Sequence, residues 1–178
     1  MPNWCSGNIR FRGDIENIVK MLEEYIVVCG GKVTEANKDG SGAKWEIVET
    51  PVKVDWDNYK IDIHPIEEET DQRGWLWFKG TQRAFPGDEL YLSGNVFYRL
   101  DGDEAIVLLD DFKQAWSIEA ADFVEMSAKY HVDIRIFGWE CGVEFAQEIE
   151  IIDGKVTVDK TIEYQNWLWE CPLPMMGG

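Results

Sequence analysis

The chain has 178 residues, 45% of them hydrophobic and 13% aromatic, and this composition predicts one folded domain rather than a disordered segment. It carries 34 acidic and 17 basic residues, which gives a net charge of −17. Such a field repels the phosphates of nucleic acids and anionic lipid headgroups. The charge therefore disfavours direct nucleic-acid binding and binding to a membrane.

The remaining bulk features predict a cytoplasmic protein. No apolar run approaches the roughly 20 residues of a membrane span, and the N-terminal residues lack the basic and apolar regions of a signal peptide. In the cytoplasm Cys5, Cys29, Cys141 and Cys171 would be reduced thiols. Because no CxxC spacing occurs, we expect them to be buried apolar side chains, with a shared metal site as the rarer alternative.

The N-terminal part has the pattern of a strand followed by a helix. Residues 8–12 alternate apolar and basic, as in a half-buried strand, and Asp14 is a suitable helix N-cap. An amphipathic stripe then begins at Ile15 and extends to Cys29, before two glycines. The stripe predicts a helix that ends at Gly30.

The next 70 or so residues have a β-rich pattern interrupted by polar segments. We predict a mobile loop at 31–44, short strands at 45–48, 52–56 and 60–64, and a solvated acidic loop at 67–72. A further strand follows at 75–78, whose sequence Trp-Leu-Trp-Phe is apolar on both faces. A strand of this kind is expected at the centre of a sheet, covered above and below.

The second half of the chain repeats the strand–helix order. Asp101-Gly102-Asp103 predicts a hairpin between strands at 95–100 and 104–110, and Ser117 would cap a helix over 118–130. A strand is predicted at 132–139 and a second hairpin at Asp153-Gly154. The inner stripe of that helix is predicted to be Ala120, Ala121, Val124 and Ala128.

This order of elements favours an α+β fold. The simplest arrangement is a ferredoxin-like split βαβ sandwich, with an antiparallel or mixed sheet and two helices on one face. Residues 1–178 would form one such domain, with a strand-rich insertion at about 31–100 that contributes extra strands. A loose tail is expected at about 171–178, after the proline-broken end of the chain.

Three stretches of the sequence resemble a known family. The start MPNWC, the Gly80-Thr81 pair after an aromatic strand, and the segment from Phe112 to Ile149 are similar to uncharacterised phage- and plasmid-borne proteins that contain the YubB ferredoxin-like domain. The resemblance implies a ferredoxin-like fold and an origin in a mobile element, and it implies no activity or catalytic residue. Gln82-Arg83 stand where a Lys-Trp pair is common in that family.

The N-terminal Asn-Trp-Cys sequence is interpreted as structural. Trp4, Trp75, Trp116 and Trp139 would cover the sheet face opposite the helices, and Asn3 would hold backbone groups where the first strand starts. No catalytic residue can be assigned. The residues proposed to bind a ligand, if one exists, are Asn3, Trp4, Cys5, Trp75, Thr81, Gln82 and Trp116.

Few residues suggest chemistry. His64 and His131 are the two histidines, and a Cys–His pair with Cys5 or Cys141 has no support from spacing. A metal site would need His64 with the acids at 67–71, in no known ligand pattern, so no metal and no cofactor are predicted. The acidic pair at 110–111 is predicted to be split, because adjacent residues of a strand point to opposite faces.

The sequence leaves two classes of function open. The first is a non-enzymatic accessory protein of a mobile element, an interaction module whose acidic surface favours a basic host protein as partner. The alternative is a small-molecule-binding protein or enzyme, with a pocket between the sheet and the 31–100 insertion near Trp75, Thr81 and Gln82. Half-exposed aromatic side chains would support the first, and a deep pocket with convergent polar groups the second.

Overall fold

The computed structural model describes residues 3–36, 43–66, 74–98 and 104–178, with the side chains of 31–36 and 43–47 left aside. These residues form three helices: α1 (Ile15–Tyr25), α2 (Ala121–Tyr130) and α3 (Trp167–Glu170). They also form eleven strands: β1 (Trp4–Asp14), β2 (Ile26–Ala36), β3 (Ala43–Trp56), β4 (Lys60–Pro65), β5 (Trp75–Phe78), β6 (Ala84–Phe85), β7 (Leu92–Tyr98), β8 (Glu104–Ala115), β9 (Asp133–Glu140), β10 (Phe145–Ile152) and β11 (Lys155–Glu163).

The predicted ferredoxin-like α+β sandwich is wrong. The described residues form mostly one large antiparallel sheet of eleven strands, in the order β11-β10-β9-β1-β8-β7-β4-β3-β2-β5, with β6 paired to β8. The strands of the 31–100 region were expected to be additions to a small ferredoxin-like domain. Instead β7, β4, β3 and β2 follow one another beside β8, with β5 beyond β2, and make up about half of the sheet, because their ladder bonds continue without a break.

The sheet has one buried face, and its central strand follows the predicted alternation. Cys5, Ile9 and Phe11 of β1 are fully buried, whereas Arg10 and Arg12 lie on the open face. The sheet also curls over its own core: the ring of Phe78, on the last strand of the order, lies 6.5 Å from that of Phe11. Helices α1 and α2 pack together in this concavity.

The start of α1 is confirmed and its end is not. The Asp14 side chain accepts hydrogen bonds from the backbone N–H groups of Glu16 (2.9 Å) and Asn17 (3.1 Å), as an N-cap does. The helix ends at Tyr25, not at Gly30, and the chain continues directly into β2. The run Ile26-Val27-Val28 is β-branched and pairs with both β3 and β5, so strand pairing outweighs the helical periodicity.

Two further predictions in the first half are corrected. The loop predicted at 31–44 is largely strand, because β2 extends to Ala36 and β3 begins at Ala43. Strand β5 is not central, since it lies at the end of the strand order, with Trp75 43% exposed. Trp77 packs against Phe85 at 5.3 Å instead of meeting a covering layer. The acidic run at 67–72 and the turn at 101–103 lie outside the described residues.

In the second half the strands are confirmed and the helix is displaced. β9, β10 and β11 pair in sequence, and the turn between the last two has Asp153 at φ 46° and Gly154 at φ 70°. Helix α2 begins at Ala121, three residues later than predicted, and no side chain caps it. It buries Phe123, Met126 and Ser127. Of the predicted stripe, Ala120 is buried just before the helix and Val124 is half-buried, whereas Ala121 and Ala128 are exposed.

The tryptophans predicted to cover the second sheet face do so only in part. Trp4 and Trp139 are half-buried on the open face, whereas Trp75 and Trp116 are exposed. Near the C-terminus, Trp167 is buried and its indole N–H donates to the Pro174 carbonyl at 2.7 Å. In the described part of the chain, every helix is too short or too polar to cross a membrane.

Candidate functional site

Three segments meet at one end of β8. The backbone N–H of Trp116 donates to the carbonyl of Asn3 at 2.8 Å, and that of Ala115 donates to Arg83 at 3.2 Å. Trp4 lies opposite Ala115 in the β1–β8 ladder. The structure thus brings the N-terminal candidate residues together with Trp116 and the 81–85 turn.

A cavity of about 290 Å³ opens beside Trp4 on the open face of the sheet. We call it the Trp4 cavity. Three of its lining residues are aspartates and one is a lysine. It is lined by Trp4, Ser6, Gly7, Asp88, Asp110, Asp111, Phe112, Lys113, Met176, Gly177 and Gly178.

A β-bulge brings Asp110 and Asp111 to the same cavity, which corrects the prediction that they point to opposite faces. Ile9 pairs with Leu109 and Gly7 pairs with Phe112, so two residues of β8 oppose the single Asn8 of β1. Both aspartates are exposed, and neither has an ion-pair partner among the described residues. The sequence does hold a signal: the alternation that buries Ala105, Val107 and Leu109 resumes at Phe112, one residue late.

Lys113 shows how this site holds a cation. Its ammonium group lies 5.2 Å from the centre of the Trp4 ring and 5.7 Å from that of Phe85, and it pairs with the carboxylate of Asp88. The two rings meet edge to face at 5.4 Å. Burial lowers the pKa of Lys113. Aromatic faces and a carboxylate together offset the desolvation of an ammonium group.

Cys5 lies on the other side of β1 and is not a nucleophile. Its thiol is fully buried and donates to Gln147 Oε1 at 3.8 Å, an oxygen that also accepts the Ile118 N–H at 2.7 Å. Burial, with the nearby carboxylate of Glu140 as a smaller cause, raises the pKa of Cys5 to about 12. At neutral pH the group is a thiol, so its role is structural.

Thr81 and Gln82 hold a turn in place. The Thr81 hydroxyl donates to Phe78 O at 2.6 Å and accepts from the N–H of Ala84 at 3.2 Å. The Gln82 N–H donates to Asp122 Oδ2 at 2.7 Å, which ties the turn to the first residues of α2. Trp75 pairs with Cys29 at the far end of β5 and does not line the Trp4 cavity.

The two histidines lie apart from the Trp4 cavity. His64 Nε2 is 2.9 Å from Asp55 Oδ2, and this hydrogen bond raises the pKa of the imidazole. His131 Nδ1 is 3.1 Å from Asp153 Oδ1. Neither ring contacts a cysteine in the described ranges, and within those ranges no group of three or more His, Cys, Asp or Glu side chains is arranged to hold a metal ion. The acids at 67–71 lie outside them.

Searches of family models, curated proteins and solved structures give no match to this chain. The resemblance of its sequence to the YubB family stays a prediction. Function is therefore inferred from the geometry of the sites themselves.

A second, larger cavity of about 600 Å³ lies beside the part of β7 that pairs with the first residues of β8. All its lining residues come from the 31–100 region, and the large ones are aromatic and exposed, with Tyr59 at 81% and Phe97 at 53%. It is lined by Trp56, Asn58, Tyr59, Val96, Phe97 and Tyr98. Its chemistry is that of a stacking surface with one amide, whereas the Trp4 cavity combines an indole with carboxylates and suits a cation.

Proposed function

We propose that this protein is a non-enzymatic interaction module that binds a basic protein partner at the Trp4 cavity. One observation carries the proposal: the bulge in β8 places two adjacent acidic residues, Asp110 and Asp111, in the lining of a cavity that Trp4 also lines. An accessory role in a mobile element accords with the family that the sequence resembles.

The contacts of Lys113 support a lysine or arginine of the partner as the group recognised. Lys113 uses Asp88 and the faces of Trp4 and Phe85, and it leaves Asp110 and Asp111 to a second cation. A charge-assisted hydrogen bond contributes about 1.5–3 kcal/mol, roughly twice a neutral one.

The overall charge supports the same partner chemistry. A net charge of −17 attracts a basic protein over a distance of about a Debye length and raises the rate of encounter. Attraction of this kind selects no particular surface. Specificity then depends on the shape of the cavity and its fixed carboxylates.

The test is a titration of the isotopically labelled protein with a tetralysine peptide, followed by NMR. We expect the largest shifts at the Trp4 indole N–H and at the amides of Asp110 and Asp111. The double variant Asp110→Asn/Asp111→Asn should weaken binding about tenfold, the effect of losing about 1.4 kcal/mol.

A matched control separates the cavity from the general acidic field. Glu16→Gln/Glu49→Gln also removes two exposed carboxylates, on α1 and β3, and neither residue lines the cavity. It should bind as the wild type does at moderate salt. Equal weakening in both double variants, or shifts scattered over the acidic surface, would refute the proposal.

A small-molecule-binding role is a second proposal, supported by the 600 Å³ cavity of the 31–100 region. Its volume is within the range of ligand sites, and four exposed aromatic side chains offer stacking surfaces. The expected ligand is flat and uncharged. A thermal-shift screen of such compounds should show stabilisation that Tyr59→Ala abolishes, and the absence of stabilisation by any flat compound would count against the role.

A further inference from the structure

Strand β11 forms one edge of the sheet that the described residues make. It has nine residues, Lys155–Glu163, none of them buried. It pairs with β10 on one side, and no strand of the described residues lies on the other. An edge of this length is a template for a further strand unless the sequence prevents it.

The straight part of this edge presents a distinct pattern on each face. Val158, Lys160 and Ile162 lie on the open face of the sheet, opposite Glu150, Glu148 and Ala146 of β10. The other face carries Asp159, Thr161 and Glu163. A bulge at Thr157 ends the straight part at Val158.

Pairing of β11 with a second copy of itself is opposed by these charges in the two registers that overlap the straight part most, those centred on Lys160 and on Thr161. Two antiparallel copies must place residues of the same face opposite one another, so the symmetry axis passes through a residue. An axis at Asp159 or at Lys160 sets that residue against its own copy, and an axis at Thr161 sets Asp159 against Glu163 twice. Like charges placed directly opposite destabilise a strand pair.

We infer that β11 binds an extended segment of a different protein, which adds an antiparallel strand to this edge. Charge complementarity defines the segment. It carries basic residues four positions apart on one face, opposite Glu163 and Asp159. Its other face carries an acidic residue opposite Lys160, between two apolar residues that meet Ile162 and Val158. Main-chain hydrogen bonds supply affinity and these side chains supply register.

The exposed apolar side chains next to this edge support a partner there. Strand β11 leads into α3, where Leu168 is 74% exposed and Trp169 is 86% exposed. Buried Trp167 packs on Tyr164 at 5.3 Å, so the exposed pair is fixed to the end of the strand. Tryptophan is enriched among the residues that contribute most of the binding energy at protein interfaces.

The experiment uses a defined probe on the full chain. The hexapeptide Lys-Val-Thr-Glu-Lys-Ile, capped at both ends, matches β11 read from Glu163 back to Val158. Its control, Lys-Glu-Val-Lys-Thr-Ile, has the same composition and charge in another order. NMR titration should show at least tenfold tighter binding of the matched peptide, with shifts at the amides of Val158–Glu163.

Three variants make the inference falsifiable. Asp159→Lys/Glu163→Lys should lose the preference for the matched peptide, whereas Glu16→Lys/Glu49→Lys, with the same charge change, should keep it. The Asp110→Asn/Asp111→Asn variant should also keep the preference. The inference about β11 and the proposed binding at the Trp4 cavity are therefore tested independently of each other. Circular dichroism of each variant checks that it is folded.

The opposite results are equally definite. Equal affinity for the two peptides, or full retention of the preference in Asp159→Lys/Glu163→Lys, overturns the inference. Sedimentation that shows a dimer dissociated by the same double variant also overturns it, in favour of self-pairing. A matched peptide N-methylated at every residue should not bind, because it can donate no main-chain hydrogen bond, and binding by that peptide would exclude strand addition.

Discussion

The two bulges of the sheet have different consequences. In β8 the extra residue lies between the central strands, where Gly7 passes so close to β9 that a Cβ atom would be 1.9 Å from the Phe137 carbonyl oxygen. In β11 the extra residue, Thr157, lies at the edge, and its hydroxyl donates to Glu150 Oε2 at 2.9 Å. The bulge in β8 therefore lies beside a tightly packed pair of central strands, whereas the bulge in β11 is held by a hydrogen bond of its own side chain.

The position of each bulge in the sheet determines which surface it shapes. The bulge in β8 lies opposite Asn8 of β1 and places both Asp110 and Asp111 in the lining of the cavity beside Trp4. The bulge in β11 ends the pairing surface and leaves a straight stretch from Val158 to Glu163 open to a partner.

The largest expected effect is that of Gly7→Ala. A new Cβ would meet the Phe137 carbonyl oxygen and carbon, both backbone atoms, so β1 and β9 must separate. We expect a loss of more than about 3 kcal/mol in the free energy of unfolding, or no folding at all. Denaturant melts measure it. A loss under about 1 kcal/mol would contradict the close approach of β1 and β9 at Gly7, beside this bulge.

Unfolding at alkaline pH should test the burial of the Cys5 thiol on the core side of β1. Its pKa is about 12 in the folded chain against an ordinary 9.0, so folding favours the protonated thiol. The stabilisation is complete below pH 9 and is lost as pH rises towards 12, by up to about 4 kcal/mol. Melts of wild type and Cys5→Ala should converge over this range. Parallel pH profiles would show that the thiol is accessible to water.

Deletion of Asp111 tests whether the interior bulge serves binding rather than folding. Without it, Leu109 and Phe112 become two positions apart and stay on the same face, so β8 alternates regularly. We expect a cost of about 1–2 kcal/mol, with the tetralysine shifts lost. Loss of the fold would show that the bulge is required for folding. Retained shifts would count against the Trp4 cavity as the binding site.

The smallest effect is expected at the bulge in β11. Thr157→Ala removes an exposed hydrogen bond to Glu150 and should cost under about 1 kcal/mol. Its peptide preference should match that of the wild type, because the straight part of β11 is unchanged. A large loss of stability in Thr157→Ala would show that the bulge in β11 matters as much for folding as the bulge in β8.

Local patterns predicted individual elements well. The alternation of residues 8–12, the Asp14 cap and the Asp153-Gly154 turn are each confirmed, because each depends on neighbours within a few residues. The end of α1 was missed, since Ile26–Val28 suit a helix stripe and a strand equally and only pairing with β3 and β5 decides between them. The stripe of α2 was misplaced for the same kind of reason.

The candidate site was predicted only in part. Asn3, Trp4 and Trp116 do meet, but Cys5, Thr81 and Gln82 have structural roles and Trp75 lies elsewhere. Asp88 and Lys113 were missed because they are 25 positions apart and their pairing is a tertiary contact. Asp110 and Asp111 were set aside because a strand without a bulge would separate them.

The sequence by itself determined the acidic field, the pattern of β1, the cap of α1 and the last hairpin, since charge and short-range periodicity need no partner. Only the tertiary structure decided that the 31–100 strands join the main sheet, that β8 bulges beside Trp4 and that β11 is left at an edge. Each of these depends on which strand supplies the hydrogen bonds of another, and strand pairing between distant segments is not encoded in any local pattern.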